Sequence, residues 1–110
     1  MPVSQSSSGG RRAVVVAGNR TPFVKAFSEF LNLDTIGLGV EAVRGLLERT
    51  ELDPSELDGI IWGGVLLPSL APNVAREIVF DLELPVSVEA NTVTRACASG
   101  LQAITDAVAK

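Results

Sequence analysis

Residues 88–103, VEANTVTRACASGLQA, contain the change from a predicted strand to a predicted helix that decides how the rest of the chain is interpreted. The first half alternates and is rich in β-branched side chains, which predicts a β-strand. The second half leads into a helix with Leu101, Ile104 and Val108 on one apolar stripe. Small residues, Ala96, Ala98, Ser99 and Gly100, adjoin Cys97 between them, so we predict a sharp strand-to-helix turn with this thiol at the tip of a sheet.

The segments that precede this transition follow a regular order. Residues 13–17, AVVVA, form a continuous apolar run that predicts a strand buried on both faces. Asp34 can cap a helix that reaches about residue 49, and DPSE at 53–56 predicts a single helical turn. Residues 59–63, GIIWG, predict a second buried strand, and Asn73 can cap a helix that reaches about residue 82.

The resulting order, β-α-β-α-β-α, predicts an α/β fold with a parallel sheet of three strands. The first 12 residues are rich in Ser and Gly, and we predict that they form a disordered tail. The remaining residues, 13–110, are enough for one small domain. Hydrophobic residues make up 46% of the chain and charged residues 20%, so we expect a buried core.

Composition argues against several kinds of protein. Nine Lys and Arg residues in a chain of net charge −4 form no basic stripe, which argues against nucleic-acid binding. The longest uncharged stretch, residues 59–75, is broken by glycine and proline and is too short to span a membrane. One cysteine and no histidine exclude a disulfide framework and a Cys- or His-based metal site, so no metal is predicted.

Cys97 is the main candidate for covalent chemistry. A thiol at a helix start meets unpaired backbone N–H groups and the positive end of the helix dipole, and both favour the thiolate. The backbone N–H of Cys97 or Ala98 could also donate to an oxyanion. The chain has no histidine to act as a base, however, and an unpaired cysteine is more often a small buried hydrophobic residue.

Other side chains are weaker candidates for a site. Arg95 could contact a substrate or pair with an acid, and Trp62 is expected in the core rather than as a stacking platform. The Gly63-Gly64 pair is not followed by a dinucleotide-binding pattern. Asp53 and its acidic neighbours are better explained as a helix cap and a solvated surface than as paired catalytic acids.

Three motifs resemble the N-terminal part of thiolases, in this order: RTPF at 20–23, PNVAREIV at 72–79 and VTRACASGLQA at 93–103. The second and third are most similar to those of degradative 3-ketoacyl-CoA thiolases, the β-subunits of fatty-acid oxidation complexes. The resemblance covers residues 13–110. It implies two similar α/β halves with five-stranded mixed sheets, and this chain would supply three strands and three helices of the N-terminal half.

The same resemblance implies a reaction and a role for one residue. Cys97 aligns with the nucleophile that is acylated when 3-ketoacyl-CoA is cleaved with CoA to acetyl-CoA and a shortened acyl-CoA in fatty-acid β-oxidation. Coenzyme A is then a co-substrate, and no bound cofactor is expected. The family's histidine and second cysteine lie in its C-terminal half, so we expect a fragment that ends inside the third helix and is inactive alone.

Alternatives inside and outside this family stay open. The chain could derive from an acetoacetyl-CoA thiolase or a ketoacyl-synthase-type condensing enzyme, or it could be a non-catalytic dimerisation module. The resemblance implies an acyl-CoA substrate and a homo-oligomer, with a hydratase/dehydrogenase subunit as a candidate partner. An unpaired thiol fits a reducing compartment, so we expect the cytoplasm, with the mitochondrial matrix as the alternative.

Overall fold

The structure, a computed structural model, describes residues 10–110, so most of the predicted tail at residues 1–12 lies outside the described residues. This part of the chain is an α/β arrangement of helices and a small parallel sheet. In chain order the elements are α1 (Thr35–Thr50), a 3-10 turn (Pro54–Glu56), β1 (Gly59–Gly63), α2 (Val74–Asp81), β2 (Glu89–Val93) and α3 (Ser99–Val108). No helix within residues 10–110 is long and apolar enough to cross a membrane.

Three helical segments begin where the sequence predicts them, because a side chain caps each start. The Asp34 carboxylate accepts the backbone N–H three residues later at 2.7 Å and begins α1. Asp53 accepts the N–H two residues later at 3.0 Å and begins the 3-10 turn. The Asn73 amide oxygen accepts the N–H three residues later at 3.4 Å and begins α2. These bonds are local, so the sequence is sufficient to predict them.

The core lies where α1 and α2 pack together and where α2 covers the sheet. Strands β1 and β2 pair in parallel over their full length, from Gly59 opposite Glu89 to Gly63 opposite Val93. Helix α3 packs against β1. The buried apolar side chains form two clusters, Val40 with Val74 and Ile78, and Val79 with Leu84 and Val88.

Residues 13–17 do not form the predicted strand. Val14, Val15 and Val16 are 75%, 89% and 87% exposed, and the segment pairs with neither strand of the described chain. The sheet therefore has two strands where three were predicted, and β1 is half-buried rather than buried. An apolar run becomes a strand only when a neighbouring edge supplies its hydrogen bonds and covers its faces, and that depends on tertiary placement.

Polar side chains tie the start of α2 to strand β2. Asn73 Nδ2 and Arg76 Nη2 donate to backbone carbonyl groups of residues 90 and 88, at 3.1 and 2.9 Å. The Thr92 hydroxyl donates to Asn73 Oδ1 at 2.7 Å and accepts a backbone N–H of α2 at 3.0 Å. The Asn-Val-Ala-Arg sequence thus fixes the strand that leads into the turn of Cys97.

Candidate functional site

Cys97 lies in the short connection between β2, which ends at Val93, and α3, which begins at Ser99. Its thiol is unpaired and exposed. The predicted position at a strand-to-helix turn is confirmed, and the alternative of a small buried hydrophobic residue is wrong. A reagent or substrate can therefore reach the sulfur from solvent.

The connection is a tight turn with a left-handed residue directly before the cysteine. The Ala98 N–H donates to the Arg95 carbonyl at 3.0 Å, and the Ser99 N–H donates to the Ala96 carbonyl at 3.2 Å. Ala96 has a φ of 47°, a conformation that costs a residue with a β-carbon about 1–2 kcal/mol. Because the Ala98 N–H is paired within the turn, the Cys97 N–H is the one that stays a candidate of the two predicted oxyanion donors.

Ser99 closes this turn from the inside. The residue is 3% exposed. Its hydroxyl accepts the Arg95 N–H at 2.7 Å and donates to the Ala96 carbonyl at 2.7 Å. Sequence reasoning missed this role, although a serine in the first turn of a helix is a known signal for bonds to nearby backbone groups. Which groups it reaches depends on the turn itself.

Strand β1 approaches the start of α3 at Gly63. A β-carbon at this position would lie 2.3 Å from the Ser99 carbonyl oxygen and 2.5 Å from the Ser99 carbonyl carbon. Only glycine permits so close an approach, which holds the first residue of α3 against the sheet. Gly63, the last residue of β1, is thus a packing signal, consistent with the absence of a dinucleotide-binding pattern.

Arg95 bonds to an amide rather than to an acid. Its Nη1 donates to Gln102 Oε1 at 2.7 Å, and Gln102 Nε2 donates to Asp106 Oδ1 at 2.7 Å. The predicted direct pairing with a carboxylate is therefore wrong, because Gln102 stands between the guanidinium and the acid. This chain of bonds runs along α3 and joins the turn before Cys97 to the helix after it.

The start of α3 carries no side-chain cap and no acidic residue in its first turn. The partial positive charge of this helix end is therefore not neutralised by a local carboxylate. Cys97 lies two residues before the first helical residue, Ser99. Such a helix end is a favourable environment for negative charge that develops during a reaction.

The remaining predicted candidates belong to the scaffold. Trp62 packs against the cluster that contains Val40 and Ile78, as expected for a core residue. Hydrogen bonds from Ser55, above all from its backbone N–H, lower the pKa of Asp53, which confirms this acid as a cap. Within residues 10–110 no group of acidic and cysteine side chains could hold a metal ion.

Fold and site together define an α/β protein that presents an exposed cysteine at a strand-to-helix turn, ahead of a helix without a side-chain cap. Residues 13–110 match the family model described as thiolase, N-terminal domain. The chain therefore belongs to the thiolase family, whose members are acyltransferases, and the resemblance of the three motifs is confirmed.

Curated relatives carry a more specific name. The chain is 42% identical over 103 residues to the 3-ketoacyl-CoA thiolase of Aeromonas salmonicida, covering 94% of this chain and 24% of the relative. It is 43% identical over 95 residues to the 3-ketoacyl-CoA thiolase of Pseudoalteromonas translucida, covering 86% and 22%. The chain thus spans less than a quarter of the length of these relatives.

Solved structures show the same fold. A thiolase from Ascaris suum in complex with coenzyme A superposes with a TM-score of 0.70 at 29% identity, covering 76% of this chain and 22% of that one. The Bacillus anthracis acetyl-CoA acetyltransferase gives a TM-score of 0.68 at 29% identity, covering 73% and 20%.

Proposed function

We propose that this chain carries the acyl-accepting cysteine of a 3-ketoacyl-CoA thiolase. The names of the curated relatives support the choice of substrate class. The observation that carries the proposal is the exposed thiol of Cys97 at the strand-to-helix turn, because a substrate must reach a sulfur that accepts an acyl group.

In the proposed reaction the Cys97 thiolate attacks the 3-keto carbon of 3-ketoacyl-CoA and forms a carbon–sulfur bond. The bond between C2 and C3 then breaks, its electron pair takes up a proton, and acetyl-CoA leaves. The thiolate of free CoA attacks the acyl-cysteine thioester, which releases the shortened acyl-CoA and the Cys97 thiolate. The backbone N–H of Cys97 is the candidate donor to the oxyanion that forms on the attacked carbonyl.

This reaction also needs a base for the thiol proton and an acid for the departing acetyl-CoA. The 110 residues contain no histidine and no second cysteine. The groups that perform these proton transfers in the proposal therefore come from outside this sequence. We accordingly propose that residues 13–110 are part of a larger catalytic unit and that the chain alone does not turn over.

Mass spectrometry of the chain after incubation with acetyl-CoA tests the proposal. We expect an acetyl adduct on the peptide that contains Cys97, and none there in the Cys97→Ser variant at the same incubation time, because the thiolate is the better nucleophile. Acetylation of lysines alone would contradict the proposal. Steady-state thiolysis of acetoacetyl-CoA by the chain alone is expected to be undetectable, and sustained turnover would refute the proposed dependence on outside groups.

The proposed setting is fatty-acid β-oxidation in the cytoplasm, with CoA as co-substrate and without a bound cofactor. It includes a homo-oligomer and, as a candidate partner, a hydratase/dehydrogenase subunit. The relatives' names support the acyl-CoA substrate, as does the structural neighbour from Ascaris suum in complex with coenzyme A. Co-purification with a full-length thiolase, or with a hydratase/dehydrogenase subunit, is the direct measurement of these partners.

A second candidate function, association without catalysis, is favoured by one face of α3. Leu101, Ile104 and Val108 are 69%, 56% and 60% exposed and lie on one stripe. An exposed apolar stripe of this kind favours contact with another protein surface. Size-exclusion chromatography distinguishes the candidates: replacement of Leu101 and Ile104 by Lys should leave Cys97 acylation unchanged but abolish association if this face is the interface.

A further inference from the structure

We propose that Ser99 is a positioning residue for Cys97, which holds Ala96 in its left-handed conformation and so keeps the thiol exposed at the start of α3. This inference rests on the proposed role of Cys97 as the acyl acceptor. Ser99 itself is not assigned any contact with a substrate, and it acts through the backbone of the two residues that precede the cysteine.

The contacts of the Ser99 hydroxyl support a specific role in this turn. It accepts from the Arg95 N–H and donates to the Ala96 carbonyl, both at 2.7 Å. Among residues 10–110, Ser99 is the buried polar residue, with 3% of its surface exposed. Its hydroxyl both accepts and donates a hydrogen bond. Alanine at this position would leave the Arg95 N–H without that acceptor.

The backbone strain at Ala96 explains why these two hydrogen bonds of the Ser99 hydroxyl, which we call the Ser99 clamp, are needed. A φ of 47° is unfavourable for alanine, and such strain persists only where the surroundings hold it. The Ser99 hydroxyl bonds to the carbonyl of Ala96 and to the N–H of Arg95, the residue before it, so the two bonds together span Arg95 and the strained Ala96. If Ala96 relaxed to a right-handed or extended conformation, the next residue, Cys97, would be redirected.

The clamp is anchored to the sheet through its own backbone. Because the Ser99 carbonyl lies directly against Gly63, the end of β1 sets the position of the hydroxyl as well. The positions of Ala96 and Cys97 are therefore linked to strand β1, although neither residue belongs to the sheet.

The test compares Ser99→Ala with the conservative Ser99→Thr and with the double variant Ala96→Gly/Ser99→Ala, all in the full 110-residue chain. Two readouts are measured: the rate of Cys97 alkylation by iodoacetamide, and the three-bond NMR coupling between the N–H and Hα of residue 96, which reports φ. Circular dichroism and urea unfolding check that each variant is folded, and Ser87→Ala, an exposed serine, is the matched control.

We expect Ser99→Ala to lower the alkylation rate about tenfold or more and to shift the coupling at Ala96, while helix content is preserved. Threonine keeps the hydroxyl and should restore both values. Glycine at position 96 adopts a left-handed φ without strain, so the double variant should return the rate to within about threefold of the original. If Ser99 acted only by stabilising the fold, relief of the strain at residue 96 would not restore the alkylation rate.

Two results would overturn the inference. One is a folded Ser99→Ala variant with an unchanged alkylation rate and an unchanged coupling at Ala96. The other is a rate that falls in proportion to stability in all variants, with no recovery in the double variant. Failure of acetyl-CoA to acylate Cys97 would refute the proposed function instead, since the alkylation rate and the coupling need no acyl transfer.

Discussion

Cys97 is exposed because its immediate neighbours are small and because the backbone bends sharply at Ala96. The residues that hold this turn are Ser99 and Gly63, of which one supplies two hydrogen bonds and the other supplies space. A single methyl group at Gly63 is therefore enough to disturb the candidate site.

We predict that Gly63→Ala destabilises the chain by about 1–3 kcal/mol, since the added methyl group meets the Ser99 backbone and not a flexible side chain. Urea unfolding followed by circular dichroism measures the change. Gly100→Ala is the matched control: no atom beyond its chain neighbours and its own helix backbone would lie within 4 Å of the added β-carbon, and alanine should stabilise α3 by up to about 1 kcal/mol. Equal effects of the two substitutions would contradict the close packing of β1 against α3.

At the scale of the element, helix α2 ends in a recognisable hydrogen-bonded motif. The Leu84 N–H donates to the Val79 carbonyl at 2.9 Å, and the Glu83 N–H donates to the Phe80 carbonyl at 3.0 Å. This is the pattern of a Schellman motif, with Leu84 and Val79 in apolar contact and Glu83 at a left-handed φ of 52°. Glutamate is an unfavourable residue at a position that glycine usually occupies.

Glu83→Gly should therefore raise the free energy of unfolding by about 0.5–1 kcal/mol, because glycine adopts this φ without strain. Thermal or urea unfolding is the measurement. The same change inside α2, Glu77→Gly, serves as the control and should lower the free energy of unfolding by about 1 kcal/mol. A destabilised Glu83→Gly variant would mean that α2 does not end in this motif.

The tie between α2 and β2 gives a second prediction for an element. Asn73→Ala removes the cap of α2 and the bonds to Thr92 and to the carbonyl of residue 90, so we expect a loss of about 1–3 kcal/mol. Asn91→Ala, an exposed asparagine on β2, should change stability by less than about 0.5 kcal/mol. Hydrogen exchange should also show faster opening of β2 in Asn73→Ala, and unchanged exchange there would argue against the tie.

At the scale of the whole molecule, the buried core is small and lies on one side of the chain. Fully buried side chains come from α2 and from the residue before β2, whereas the valines of residues 13–17 and the apolar stripe of α3 face solvent. A groove of about 1180 Å³ runs between β1 and α3, lined by Ile61, Gly63 and Ile104 among others. Both the groove and the stripe leave apolar surface open to association.

The buried core and the exposed residues 13–17 should differ in how strongly a substitution changes the free energy of unfolding. Ile78→Ala removes a fully buried side chain and should cost about 2–5 kcal/mol. Val15→Asp changes a side chain that is 89% exposed and should change stability by less than about 0.5 kcal/mol. Urea unfolding of both variants is the test, and a loss above about 1 kcal/mol for Val15→Asp would show that residues 13–17 pack as the predicted strand.

Interactions between residues close in sequence are sufficient to predict much of this fold. The caps Asp34, Asp53 and Asn73 act within three residues of their own position, so the starts of α1, the 3-10 turn and α2 were predictable. The small residues around Cys97 likewise predict the sharp turn that the structure shows. The match of residues 13–110 to the thiolase family rests on the same sequence.

Two features depend instead on contacts between segments that are distant in sequence. The apolar residues 13–17 have the pattern of a strand but pair with no edge in the described chain, because pairing requires a partner placed beside them. The approach of Gly63 to Ser99 joins residues far apart in the chain, and no local pattern encodes it. The bonds of the Ser99 hydroxyl are local, since they reach only residues three and four positions earlier. What the tertiary structure decides is the placement of the Ser99 backbone against the end of β1, because close packing brings distant segments together.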